Sequence, residues 1–179
     1  SGQFSVHIYT SILAGFILAF PYVFWQFWSF VKPALHKHEA SIARGVVFYS
    51  SFLFLTGILF GYFIIAPISI NFLGSYQISS VVANQINITS FISTVTTITF
   101  ANGVIFELPI LVYFLTKFGL ITPALMRNYR RHAIISILIL SAIITPPDVA
   151  SQVIVSIPLL ILYEISIRIS SRIIKKNKI

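Results

Sequence analysis

Apolar residues run through this chain in long blocks and are not alternated with polar ones. No Asp, Glu, Lys or Arg occurs between Ser1 and Val31, and none again between Gly45 and Phe106. Crossing about 30 Å of hydrocarbon at 1.5 Å per residue takes roughly 20 apolar residues in a helix. Three blocks meet that length: Ile8 to Val31, Val46 to Leu73 and Phe91 to Thr116. Two shorter blocks, Ala133 to Ile144 and Val153 to Ile167, flank Thr145-Pro146-Pro147-Asp148, where consecutive prolines remove two backbone donors and stop the first of them. The pattern predicts an all-α polytopic membrane protein, one helical domain over residues 1–179, with five spans of which the last two are short. From the pattern alone, the last two blocks are either short spans or a re-entrant hairpin.

Composition agrees: 57% of the 179 residues are hydrophobic and 9% are charged, where a soluble domain carries about a quarter charged. The absence of cysteine excludes disulfides, thiolate zinc sites and iron–sulfur ligation. A net charge of +8 raises nucleic acid as a partner, but the placement of the 12 basic residues follows the membrane instead. Lys32, Lys37 and Arg44 follow the first block; Lys117, Arg127, Arg130 and Arg131 follow the third; Arg168, Arg172, Lys175, Lys176 and Lys178 close the chain. By the positive-inside rule these regions and the C-terminus face the cytoplasm, and Ser1 lies outside. With no basic anchor before an outward start, a further span is expected ahead of Ser1.

The four acids are the informative side chains. Glu107 stands inside the third block, in Phe106-Glu107-Leu108-Pro109. An acid at that depth costs a few kcal/mol, roughly, and marks a functional site by default; the alternative is a protonated acid bonded to Ser or Thr of a neighbouring helix. Pro109 frees the carbonyl of Ile105 and invites a bend beside it. Glu39, in Pro33-Ala34-Leu35-His36-Lys37-His38-Glu39, offers a carboxylate that an arginine fork can engage, or else a surface pair with Lys37 or Arg44. Asp148 suits a helix N-cap, Thr145 and Gln152 are polar at the hairpin tip, and Glu164 precedes Arg168 at the i,i+4 spacing of a helical ion pair. Gly57 and Gly61, and the stripe Ser11, Gly15 and Ala19, are expected to pack helices within the chain, with oligomerisation as the second use. Trp25, Trp28 and Phe30 are placed at the inner interface as aromatic anchors. No nucleophile elbow, P-loop, dinucleotide fingerprint or zinc-protease motif is present, and neither a cofactor, a metal site nor an enzyme activity is read.

Taken in order, Phe20-Pro21, Trp25-Gln26-Phe27-Trp28-Ser29-Phe30, the Pro33 to Glu39 segment, Gly61-Tyr62-Phe63 with Pro67, Phe106 to Pro109, Thr145 to Asp148 with Ser151-Gln152, and Pro158 with Tyr163-Glu164 resemble the TatC family. That family is the multispanning receptor of the twin-arginine protein translocase. The resemblance implies a six-span fold, N-in and C-in, of which the first span is missing here and the last two helices are short spans. It also implies recognition of twin-arginine signal peptides, use of the proton-motive force to move folded proteins, and an oligomeric receptor complex with TatA- or TatB-like single-span partners. The membrane would be a bacterial cytoplasmic or an organellar one. Carried over by position, Glu39 resembles the carboxylate that receives the arginine pair, with Phe30 and Lys37 nearby. Glu107 resembles the intramembrane acid, Thr145 and Gln152 the partner-helix docking site, and Pro146, Pro147 and Asp148 the last outer loop. From the residues alone, a small-solute or proton-coupled secondary transporter is the alternative.

Overall fold

The computed structural model describes residues 2–31, 43–75, 87–145 and 149–176, and these contain helices and no strand. Helix α1 covers Gly2–Val31 and α2 covers Ala43–Phe60, which runs through a π-helical turn at Gly61–Ile65 into α3, Ala66–Ser75. Then follow α4 (Ile88–Ile105), α5 (Leu108–Lys117), the short α6 (Pro123–Asn128), α7 (Arg130–Ile144) and α8 (Val149–Lys176). Among the described residues, four rods are long and apolar enough to cross a membrane: Gly2–Phe30, Gly45–Ser75, Ile88–Lys117 and Val149–Lys175. The chain is an integral membrane protein of all-α, polytopic fold. Helix α7, at 15 residues, falls short of the length of these rods.

Lipid tails are as apolar as leucine, so helices in a bilayer are not driven together by escape from water and must gain from close packing and internal hydrogen bonds. Helix α2 achieves this against α4 through its glycines. A Cβ on Gly57 would stand 2.6 Å from the carbonyl oxygen of Asn102, and one on Gly61 would stand 2.9 Å from Cα of Thr99. Gly103 answers from the other side, where a Cβ would meet Cδ1 of Ile58 at 2.7 Å. The Gly-x-x-x-Gly pair thus serves packing within the chain. Pro67 cannot donate to the backbone ladder and its ring crowds the carbonyl one turn earlier. The π turn just before it, closed by the Ala66 N–H to the Gly61 oxygen, accommodates that and keeps Gly61, Ile65 and Ser69 buried against the bundle.

Helix α1 docks by a ridge of aromatic rings one helical turn apart. Phe20 stacks on Phe54 of α2 with centroids 3.6 Å apart, Phe16 meets Phe100 of α4 edge-on at 5.5 Å, and Trp28 meets Phe114 of α5 at 5.3 Å. Two expectations are corrected here. Trp28 is no interfacial anchor: it is 2% exposed and packs with Val46, Ile110 and Phe114, whereas Trp25 and Phe30 are exposed. The stripe Ser11, Gly15 and Ala19 does not pack within the chain, because the phenylalanine ridge occupies the docked face and the stripe is left exposed, with nothing within 4 Å of a Cβ on Gly15.

The last helix is also corrected. It runs 28 residues and is not short, continuing well past Ile167 because its C-terminal part is amphipathic. Ile167, Ser170 and Ile173 are buried while Arg168, Arg172 and Lys175 are exposed, so the basic residues decorate one face of a helix that is otherwise packed. Thr116 of α5 donates to Ser170 at 2.9 Å, and Tyr163 donates to the carbonyl of Met126 at 2.8 Å. Glu164 takes Arg130 at the start of α7 as its partner, at 2.9 Å, in place of the expected Arg168 one turn along its own helix.

Replacing Gly57 by valine is expected to separate α2 from α4 and to lower stability by about 1–3 kcal/mol, whereas Gly15→Val leaves stability unchanged. Thermal unfolding of the detergent-solubilised protein measures both.

Candidate functional site at the break in the third long helix

Helix α4 ends at Ile105 and α5 begins at Leu108, so the expected bend is a break. Phe106 N–H still bonds the carbonyl of Asn102, at 3.0 Å, but the Glu107 N–H tightens to the carbonyl of Val104, at 3.1 Å. The Glu107 carbonyl then accepts from both Ile110 and Leu111, starting the new helix. Pro109 sits in the first turn of α5, where its missing N–H would have no intrahelical partner anyway. The proline therefore fixes where the helix restarts, and the restart fixes Glu107 at the corner.

From that corner the Glu107 side chain reaches α2. Ser50, fully buried, donates its hydroxyl to Oε2 of Glu107 at 2.7 Å. Among the described residues no group bonds Oε1, which is buried. A half-buried acid with one satisfied oxygen and one buried, open acceptor is a polar site held ready in an apolar setting. It borders a cavity of about 310 Å³ whose other walls include Phe24 and Phe27 of α1 and Ile110, Leu111 and Phe114 of α5. The surroundings suit an apolar helical segment that carries an occasional donor. Ser50 was missed in the sequence. Its signal is a helical stripe of buried residues, Ser50, Phe54, Gly57 and Gly61, that faces one neighbour.

A second polar region lies at the turn between α7 and α8. Thr145 ends α7, is buried, and donates to the carbonyl of Ser141 at 2.8 Å. Gln152 donates through Nε2 to the carbonyl of Leu138 at 3.1 Å, tying α8 to α7. Thr145 also lines a cleft of about 320 Å³ with Ser93, Thr94 and Thr97 of α4. The structure therefore brings Thr145 beside a hydroxyl-rich face of α4 and gives Gln152 a neighbouring backbone to hold. Phe30, 84% exposed, projects near the end of α1. Lys37, Glu39, Pro146, Pro147 and Asp148 lie outside the described residues.

Residues 1–158 match the family model described as Sec-independent protein translocase protein (TatC). The chain belongs to the TatC family. The TatC protein of Blattabacterium sp. subsp. Periplaneta americana (strain BPLAN) is 44% identical over 98% of this chain and 66% of its own length. That of Helicobacter pylori (strain J99 / ATCC 700824) is 41% identical over 94% of the chain and 67% of its own length. The chain thus spans about two thirds of the length of the relatives it matches. A crystal structure of the twin-arginine translocase receptor TatC superposes with a TM-score of 0.74 at 38% identity, over 94% of this chain and 74% of that one. A second, in DDM, gives 0.77 at 39% identity, over 93% and 74%. The residues that match the family model include both Ser50 and Glu107.

Removing the hydroxyl in Ser50→Ala takes away the one side-chain hydrogen bond that Glu107 receives among the described residues. A double-mutant cycle of Ser50→Ala with Glu107→Ala, read by unfolding in detergent, is expected to return a coupling of about 0.6 kcal/mol and at most about 1.7 kcal/mol, the range that such cycles give for interhelical hydrogen bonds in membranes. A coupling of zero would mean that the two groups do not support each other.

Proposed function

We propose that this chain is the signal-peptide receptor and core component of a twin-arginine translocase, moving folded proteins across the membrane with the proton-motive force. The observation that carries the reading is the Glu107–Ser50 pair at a helix break beside an aromatic cavity, in a chain of the TatC family. Glu39 receives the guanidinium pair of the signal, since a carboxylate binds an arginine fork through two parallel hydrogen bonds, with Phe30 and Lys37 beside it. The apolar part of the signal then lies along the cavity by Glu107, where Oε1 accepts from a donor on the entering helix. Thr145 and Gln152, with Pro146, Pro147 and Asp148 shaping the turn, dock TatA- or TatB-like single-span partners in an oligomeric receptor complex.

The same reading sets the chain in a bacterial cytoplasmic membrane with five spans, C-terminus inward. Helix α7 would then be a span of about 22 Å at 1.5 Å per residue, shorter than the roughly 30 Å of an average hydrocarbon core, and the bilayer thins around it. The basic residues that follow α1, those from Lys117 to Arg131 and those in the last part of the chain from Arg168 support this orientation.

Two measurements test it. A photo-crosslinking group beside Glu39, in membranes carrying the intact protein, is expected to capture a signal peptide bearing Arg-Arg and to lose it with Lys-Lys or in Glu39→Ala. Equal capture of both peptides would overturn the receptor reading and favour a transporter. Because the chain has no cysteine, single cysteines at Asn87 and Asn128 report topology: an impermeant maleimide added outside should label the first and reach the second only after permeabilisation.

A further inference from the structure

An open cleft of about 650 Å³ lies at the basic end of the bundle, between the start of α6 and the end of α8. Arg127 and Lys175 flank it, Thr122 and Ser171 supply hydroxyls, and Pro123, Ala124 and Ile174 give it an apolar wall. Neither cation has an anionic partner among the described residues: Glu107 is inside the third rod, and Glu164 is held by Arg130 at 2.9 Å. Thr122 accepts from the N–H of Leu125 at 3.3 Å, which leaves its own proton to donate. Ser171 donates to the carbonyl of Ile167 at 2.9 Å and so faces the cleft only as an acceptor. The donors on offer are therefore a guanidinium fork, an ammonium and one hydroxyl, the set that suits a phosphate oxyanion bearing at least one protonated or hydroxylated oxygen neighbour.

What lies around the cleft identifies the source of that phosphate. Phe118, Leu120, Leu125 and Tyr129 are all exposed on the segment between α5 and α7. Apolar and aromatic side chains in that position enter the boundary between headgroups and acyl chains. A cationic cleft with an apolar wall at membrane level accepts an anionic headgroup together with the top of its chains, whereas a water-borne anion gains nothing from the wall. The sign of the charge also separates this cleft from the proposed receptor carboxylate, because two cations repel an arginine-bearing signal. We propose that the cleft between Arg127 and Lys175 is a binding site for an anionic phospholipid, its phosphate held by these two side chains and Thr122 and its glycerol end by Ser171.

The whole chain, carrying Leu125→Cys as its single cysteine and a fluorophore on it, is reconstituted in phosphatidylcholine nanodiscs. A small fraction of spin-labelled phosphatidylglycerol or spin-labelled phosphatidylcholine is added, and quenching is compared at equal mole fraction. Phosphatidylglycerol is expected to quench more strongly. Its preference should fall by about fivefold in either Arg127→Gln or Lys175→Gln, the factor for one cation at a membrane surface. It should persist in Arg127→Lys, Arg131→Gln and Arg168→Gln. Equal quenching by the two lipids would overturn the proposal. So would an equal loss in Arg131→Gln, which would make the attraction diffuse, or loss of the preference to millimolar inorganic phosphate at constant ionic strength, which would make the ligand a soluble anion.

Discussion

Everything in this bundle depends on how closely α2 and α4 approach. With no hydrophobic drive between helices in lipid, the approach has to be won by contact alone, and a glycine face gives the most contact for a given crossing. Gly57, Gly61 and Gly103 let backbone meet backbone and side chain. That approach carries α2 along the broken third rod, and Ser50, two turns before Gly57, comes within hydrogen-bond distance of Glu107. The remaining helices are arranged around the pair. Helix α1 lays its aromatic ridge across both, while α8 runs beside α5 and α7.

Two kinds of side-chain hydrogen bond stand out among the described residues. Several hydroxyls turn back to a carbonyl four residues earlier, as Ser51, Thr56, Thr96, Ser141 and Ser166 do. A hydroxyl satisfied in this way crosses the membrane at little cost and says nothing to a neighbour. A few instead reach another helix, and these join the elements that bear the candidate sites: Ser50 to Glu107, Thr116 to Ser170, Tyr163 to Met126 and Gln152 to Leu138. The difference between the two groups is one of partner, not of residue type.

That difference explains what was legible in the sequence. Long apolar blocks announced the rods, because span length is a property of the segment itself. Pro109 announced an interruption beside Glu107, since the loss of a backbone donor is equally local. The two small-residue stripes looked alike, yet Gly57 and Gly61 found a partner and Ser11, Gly15 and Ala19 did not. Nothing within a stripe records which face of its helix meets the bundle, and on α1 the ring contacts of the opposite ridge decided it. Ser50 and Glu107 are 57 positions apart, so their bond belongs to the crossing of two helices and not to either segment. The length of α8 was hidden for a simpler reason: counting apolar residues stops at Arg168, while the helix continues as long as one face stays covered.

The glycine contact also bears on how such a chain can vary over time. Enlarging Gly57 disturbs a crossing shared by the scaffold and by the serine that holds Glu107. A change tolerated by folding alone would still shift the acid, and a change in the acid's surroundings would still reach the crossing. Natural selection therefore has no means of separating structure from activity at these positions: drift is closed to them unless α2 and α4 change together.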